Sequence, residues 1–380
     1  MSVDRIFLVT GATGAVGSAI VPLLLAEPST KVYVLLRASS DEALGSRMQA
    51  LLDYWGDWVD RQDLPDRLVG VRGDIGHPYL KMSEEEYEKL AGTVTHIVHS
   101  AGNVKLNQTI GAARASAVLA VEQVVAFARA CGRSRPYPKI EYLSTVGVAG
   151  RRSGLIPEER LGSEWGYHNT YEQAKAEAEK VMLREIDAGL PATIHRPSMV
   201  VGDSRDGRII HFQVFYYLAP FLAGSRTGGV LPKFGHVKLD LVPADCVAKT
   251  IVASTRRHDS IGKILHLCSG PLRAAPLAEL GDSLRHFFAE HGERVFTPRY
   301  LPRSLLRGLV RIGRSLASDR TRRGLDSLPY FLDYLDEAQL FVNERTTEFF
   351  AADGLESPPV EQFLPVVMRY WYARRSREIH

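Results

Sequence analysis

Apolar residues in this chain fall first into short unbroken runs and then onto helical spacing, and the two patterns alternate through the first two-thirds of the sequence. Runs such as Arg5-Ile-Phe-Leu-Val-Thr10 and Lys31-Val-Tyr-Val-Leu-Leu36 are continuous, as expected of strands buried on both faces. The pattern predicts strands over 5–10, 31–36, 68–72, 95–99, 139–144, 192–196 and 263–268, and helices over 15–27, 40–54, 108–131 and 167–188. Strands alternating with helices build a parallel sheet covered on both faces, a doubly wound α/β architecture. No internal repeat or low-complexity segment interrupts it.

After the sixth strand the rhythm breaks. Residues 203–240 carry glycines and the aromatic residues Phe212, Phe215, Tyr216, Tyr217 and Phe221. From about residue 273 the pattern predicts helices over Leu277–Glu290, Pro302–Leu316, Tyr330–Phe341 and Val360–Tyr372. The chain therefore divides into a sheet domain, 1–202 with 241–272, and a smaller, mostly helical C-terminal lobe, 203–240 with 273–380. That lobe is expected on the carboxyl edge of the sheet, where open α/β sheets bind ligands.

Composition narrows the classes. A hydrophobic content of 45% and a charged content of 24% are ordinary for a globular chain, and a net charge of +3 calls for no nucleic-acid partner. Cys131, Cys246 and Cys268 form no CxxC pair and no metal-ligand grouping with histidine, which suits a reducing cytosol. The first strand begins almost at Met1, which leaves no room for a signal peptide, and no apolar run is read as approaching the roughly 20 residues that span a bilayer. A cytoplasmic chain, at most peripheral to a membrane, is expected.

Two motifs carry the chemistry. Gly11, Gly14 and Gly17 lie between a strand and a helix, where one glycine permits a tight turn, another lets backbone approach a pyrophosphate and the last lets helix pack on strand. The helix amino end then faces the phosphates, with Thr13 and Val16 among the candidate contacts. The second strand ends on Arg37 where an NAD site usually has a carboxylate, and a guanidinium there favours the 2′-phosphate of NADPH. Arg47 is a second candidate for that phosphate. Asp74 and Ile75, after the third strand, and Ser100, Ala101 and Gly102, after the fourth, complete a candidate cofactor cradle.

The second motif is Tyr171-Glu-Gln-Ala-Lys175. Tyrosine and lysine four residues apart share a helix face, and no other tyrosine of the chain has lysine at that offset. A nearby ammonium is expected to lower the tyrosine pKa, so that Tyr171 exchanges a proton with a carbonyl or hydroxyl oxygen near neutral pH. Thr145, ending the fifth strand, could bond the same oxygen.

With these residues in place, the chain resembles the extended short-chain dehydrogenase/reductase superfamily, and within it the thioester-reductase and fatty acyl-CoA reductase branch. The resemblance rests on the segments 10–17, 35–40, 73–75, 99–105, 142–145, 169–175, 196–204 and 241–245. It implies a Rossmann-type sheet, Thr145, Tyr171 and Lys175 as the catalytic set, Arg37 and Arg47 on the 2′-phosphate, Asp74 on adenine, and Pro197 beside the nicotinamide. Tyr171 and Lys175 are also carried over as cofactor contacts. One departure stands out: the usual Asn-Val-x-Gly-Thr of the helix after the fourth strand reads Ala117-Val-Leu-Ala120-Val121, without the amide of the usual proton path.

The expected activity is NADPH-dependent reduction of a fatty acyl thioester, on coenzyme A or an acyl carrier protein, to an aldehyde or, with a second hydride, to an alcohol; the sequence leaves open where reduction stops. A dehydrogenase of a lipid or steroid-like ketone or secondary alcohol is the alternative enzyme, and an NADP-sensing regulator the alternative of another class. The aromatic stretch 212–222 is a candidate acyl tunnel. In Pro302–Leu316, Arg303, Arg307, Arg311 and Arg314 share the face opposite Leu305, Leu309, Ile312 and Leu316, a pattern that could meet an acidic carrier, coenzyme A phosphates or an anionic membrane.

Overall fold

The computed structural model describes residues 5–60, 64–106, 108–133, 135–302, 304–305, 334 and 338–375. The first half runs β1 (Arg5–Thr10), α1 (Gly17–Leu25), β2 (Thr30–Leu36), α2 (Asp41–Trp55), α3 (Leu64–Arg67), β3 (Leu68–Arg72), α4 (Glu84–Ala91), β4 (His96–His99), α5 (Ile110–Cys131) and β5 (Lys139–Leu143). It continues through β6 (Gly154–Ile156), α6 (Thr170–Asp187), β7 (Ala192–Pro197), β8 (Met199–Val201), α7 (Val214–Leu222), β9 (Val230–Pro232), β10 (Lys238–Leu239), β11 (Leu241–Pro243), α8 (Ala244–Ser254) and β12 (Ile264–Leu267). The remainder is α9 (Gly270–Arg273), β13 (Ala275–Pro276), α10 (Leu277–Glu290), β14 (Arg299–Leu301), β15 (Gln339–Phe341), α11 (Glu344–Phe349) and α12 (Val360–Arg375).

Seven strands form one parallel sheet in the order β3-β2-β1-β4-β5-β7-β12, a Rossmann-type arrangement. All seven were predicted, each within one residue of its bounds. Successive residues of β1 serve opposite cores: Leu8 packs with α5 and α6 on one face, while Phe7 and Val9 pack with α1, α2 and α8 on the other. Helices start slightly later than their apolar pattern suggests because polar side chains cap them. Ser40, Thr109 and Asn169 accept from the backbone N–H groups of Ala43, Ala112 and Glu172.

Three expectations are corrected. α5, 22 residues with a mean hydropathy of 1.4, is long and apolar enough by composition to cross a membrane, contrary to the sequence reading. Here it is a core helix, with Ala113, Ala117, Val121, Val124 and Phe127 buried beside α6 and the sheet. In the predicted helix Tyr330–Phe341, Tyr334 is helical, but Gln339–Phe341 is a strand paired in parallel with β6, because its backbone is bonded to the strand at 154–156 rather than to its own preceding turn. The aromatic stretch 212–222 runs into α7 and lies largely in a core rather than along an open tunnel: Phe215, Tyr216 and Phe221 are buried with α10 and α12. Of Pro302–Leu316, only 302, 304 and 305 are described, so the arginine face lies outside the described residues.

The core that α7 shares with α10 and α12 joins residues 201–241 to 275–371, and β8 pairs with β11 at its junction with the sheet. Phe215→Ala should therefore cost about 3–5 kcal/mol, the usual range for a buried phenylalanine. Tyr217→Ala, at a 60% exposed position two residues on, should cost far less than Phe215→Ala. Chemical denaturation of the two variants checks the contrast, and equal losses would contradict the packing.

Candidate active site

The strand order reverses between β1 and β4, and the segments leaving their carboxyl ends meet there. Gly11 adopts φ +78°, and a Cβ on it would lie 2.5 Å from the backbone nitrogen of Ala101. A Cβ on Gly17 would lie 2.2 Å from the Gly11 carbonyl oxygen and 2.6 Å from Ser100 Oγ. Ser100 clamps the two ends together, its Oγ donating to the Thr10 carbonyl at 2.8 Å. Gly14 closes the turn, donating to the Gly11 carbonyl at 2.8 Å. Val16, ahead of α1, makes no side-chain cap, and the Ser18 N–H is taken up by the Gly14 carbonyl at 3.0 Å. Thr13 is partly buried within the turn, and nothing lies within 4 Å of a Cβ built on Gly102.

Arg37, one residue beyond β2, and Arg47, on α2, are exposed and pair with no carboxylate among the described residues. Arg72, missed in the sequence, joins them: it ends β3 directly beside Leu36 and sits 3.5 Å from Asp41 at the start of α2. Asp74 is partly committed, its Oδ1 accepting from the Gly76 N–H at 3.0 Å and its Oδ2 lying 3.5 Å from His77 Nδ1. Ile75 packs against the core. Arg37 and Arg72, at the ends of adjacent strands, give this edge two guanidinium groups, the second of them beside Asp41.

On the far side of the switch point, α6 presents Tyr171 and Lys175 to the end of β5. The Thr145 hydroxyl lies close enough to the Tyr171 phenol to lower its pKa. Thr145 caps the short turn Val146–Ala149, its Oγ1 accepting from the Gly147 N–H at 3.1 Å. Lys175, 7% exposed, donates from Nζ to the Leu143 carbonyl at 2.6 Å and stands 5.1 Å from the centre of the Tyr142 ring. Pro197 is buried at the end of β7. Ala117 is buried in apolar surroundings on the same face of the sheet, and its methyl supplies no polar group to the site.

The electrostatics overturn one expectation. Burial, opposed by the Thr145 hydroxyl, pushes Tyr171 up to about 12, and the neighbouring Glu172 adds to the rise. Burial also pulls Lys175 down to about 8, against the raising effect of Glu179. Tyr171 is therefore a neutral phenol at physiological pH, equipped to give a proton rather than to take one. His99, bonded through Nδ1 to Thr10 Oγ1 at 2.7 Å, is pushed down to about 3 by burial and the Lys175 charge, and stays neutral.

Sequence reasoning also missed Glu179 and Arg196. Arg196, 0% exposed, makes a two-pronged contact with Glu179, Nη2 to Oε1 at 2.6 Å and Nε to Oε2 at 3.1 Å. Glu179 also accepts from Ser144 Oγ at 2.5 Å. The signal was available, since Glu179 continues the Tyr171–Lys175 stripe by one more turn and Arg196 directly precedes Pro197. A further contact comes from the C-terminal segment: the Tyr334 hydroxyl donates to Glu172 and accepts from Asn169 Nδ2, and its ring stacks on His168 at 4.3 Å.

The protonation of Tyr171 is directly checkable. With tyrosines labelled at the ζ carbon, the resonance lost in Tyr171→Phe should show no ionisation between pH 6 and about 10, given a pKa raised to about 12. A midpoint near neutrality would overturn the neutral-donor assignment.

Comparison with known proteins places these features in a lineage. Residues 9–251 match the family described as male sterility protein. The chain is 29% identical over 283 residues to the non-canonical nonribosomal peptide synthetase FrzA of Cladobotryum sp, covering 72% of this chain and 27% of FrzA. It is 28% identical over 263 residues to the L-2-aminoadipate reductase of Saccharomyces cerevisiae, covering 65% of this chain and 18% of that protein. This chain thus spans about a quarter or less of these relatives' length. The crystal structure of the terminal R domain from the myxalamid PKS-NRPS biosynthetic pathway superposes with a TM-score of 0.80 at 27% identity, over 98% of this chain and 92% of that one. The family match takes in the glycine turn, the Tyr171–Lys175 helix and five of their connecting strands together, and this chain belongs to the male sterility protein family, in the thioester-reductase-like branch of the extended short-chain dehydrogenase/reductases, as an NAD(P)-dependent oxidoreductase.

Proposed function

We propose that this chain is an NADPH-dependent reductase of a carrier-bound acyl thioester. The juxtaposition of Tyr171 with Thr145 at the end of β5, beside the buried Lys175 that donates to the Leu143 carbonyl, is the observation that carries the reading. The kinship with a nonribosomal peptide synthetase and with a terminal R domain favours a carrier-held thioester over a free ketone. Arg37, Arg47 and Arg72 together favour NADPH over NADH, because only NADPH brings a 2′-phosphate to that edge. In this reading the lobe formed by 203–240 and 273–380 receives the acyl group.

Residues of the chain would hold the dinucleotide at the Gly11–Gly17 turn and the ends of β2 and β3, and bound NADPH supplies the hydride. Thr145 and Tyr171 would both donate to the thioester carbonyl oxygen, and that pair of bonds strengthens as the oxygen gains negative charge. Tyr171 can pass its proton to that oxygen, since a neutral phenol is a competent acid toward an alkoxide. Lys175, still largely protonated at neutral pH, stabilises the phenolate left behind. Collapse with departure of the thiol gives an aldehyde. Reduction of the aldehyde to the alcohol at the same groups would take a second hydride, from a second NADPH bound after the first oxidised cofactor leaves.

Tyr171→Phe should cut turnover at least about a hundredfold, the low end for general acid catalysis, while NADPH binding is largely retained. Turnover is followed by NADPH absorbance together with released thiol, and wild-type rates in this variant would sink the mechanism. Arg37→Ala should weaken NADPH by about 1.5–3 kcal/mol, the worth of a hydrogen bond to a charged group, and leave NADH nearly unchanged. Cofactor fluorescence titrations make that comparison, and equal losses for both cofactors would count against a 2′-phosphate contact.

A further inference from the structure

One carboxylate reaches every segment that carries the proton-transfer set. Glu179 lies four residues beyond Lys175 on α6, so the two share a face with Tyr171. It is 4% exposed. Its Oε2 accepts from Ser144, the residue next to Thr145, and both its oxygens are held by Arg196, the residue next to Pro197. Arg196 is fixed from behind. Its Nη1 lies 3.3 Å from His266 Nε2, and the opposite ring nitrogen, Nδ1, donates to the Val342 carbonyl at 2.7 Å. That bond places the proton on Nδ1 and leaves Nε2 as an acceptor, in keeping with a His266 pKa that burial and Arg196 hold down to about 3. The His266 backbone N–H in turn donates to Glu158 at 2.8 Å, which Thr346 of α11 also bonds. The chain of contacts thus runs from the end of β5, through α6 and β7, to the segment that covers β12.

We propose that Glu179 is a positioning residue for proton transfer: its single carboxylate fastens the helix bearing Tyr171 and Lys175 to the strand ends bearing Thr145 and Pro197. It rests on the reading of Tyr171, Thr145 and Lys175 given above. Glu179 touches neither the cofactor edge nor the reacting oxygen in this geometry and acts through its neighbours. It also sets the charge around Lys175. The groups facing that ammonium are Tyr171 and Glu179 on its own helix, Tyr142 and the Leu143 carbonyl from β5, and His99 from β4. Tyr142 and His99 are neutral, so Glu179 is the anion that keeps Lys175 protonated against burial. Removing the anion lowers the Lys175 pKa, and the alkaline limb of activity, which follows loss of the Lys175 proton, moves to lower pH.

Glu179→Gln in the full chain tests this, with the N-acetylcysteamine thioester of octanoic acid and octanal as substrate probes and NADPH as cofactor. Turnover should fall on the order of ten- to a hundredfold, the cost of a small misplacement of reacting groups, with the KM for NADPH little changed. The Lys175 midpoint, read from its Nζ resonance, should drop below the wild-type value of about 8 together with the alkaline limb. A folded variant with an unmoved Lys175 midpoint and wild-type turnover overturns the proposal, and so does a lowered melting temperature with no kinetic or titration change. Because Glu179→Gln strands a buried guanidinium, the double variant Glu179→Gln/Arg196→Met carries the same test if the single variant does not fold. Wild-type turnover in the folded double variant also overturns the proposal. Tyr171→Phe separates the two ideas. Full activity in Tyr171→Phe removes the underlying reading, whereas an inactive Tyr171→Phe beside an active Glu179→Gln removes only the role of Glu179.

Discussion

Glu179 and Arg196 are both withdrawn from water, and neither keeps its charge at low cost without the other. Removing one member of such a buried pair typically costs about 3–5 kcal/mol, because the remaining charge has lost its solvation as well as its partner. A contact of that kind tolerates little displacement. It therefore fixes the axial position of α6 against β5 and β7, and with it the distance from Tyr171 to Thr145. The parallel sheet brings the strand ends to one edge, but backbone pairing alone leaves a helix free to slide by a fraction of a turn. The two-pronged guanidinium contact removes that freedom.

A second constraint is steric and lies across the switch point. The β1–α1 turn approaches the end of β4 so closely that side chains at Gly11 and Gly17 would overlap Ala101, Ser100 and the turn's own backbone. The same closeness that excludes a Cβ brings backbone N–H groups and the amino end of α1 to the cleft. The two constraints are complementary: one shapes the glycine turn at the cleft, and the other holds Tyr171 and Lys175 opposite it. Between them, burial decides protonation. It keeps Tyr171 neutral, leaves Lys175 near its titration point and keeps His99 uncharged.

The C-terminal residues do more than cover the sheet. Segment 339–346 pairs with β6, accepts from His266 and bonds Glu158, so it closes the edge strand β12 and backs the Arg196 contact. Tyr334 reaches the start of α6 and bonds Glu172, the residue next to Tyr171.

The sequence by itself determined the alternation of strands and helices, because a strand buried on both faces must be apolar throughout and an amphipathic helix must not be. It determined the glycine turn, since a positive φ and a forbidden Cβ leave only one residue type, and it determined the Tyr171–Lys175 pair, since a four-residue offset on a helix is local geometry. It misjudged α5, whose composition matches a bilayer span and whose neighbours alone make it a core helix. It misjudged 339–341, because a strand of three residues has too few positions to show a period and exists only through its partner β6. The aromatic stretch 212–222 reads the same whether it lines a tunnel or fills a core, and only the packing of α10 and α12 decided for the core. The direction of the Tyr171 shift was likewise beyond the sequence. Residue spacing fixes which charges are near, but the depth of burial, which outweighs them here, is a property of the whole fold.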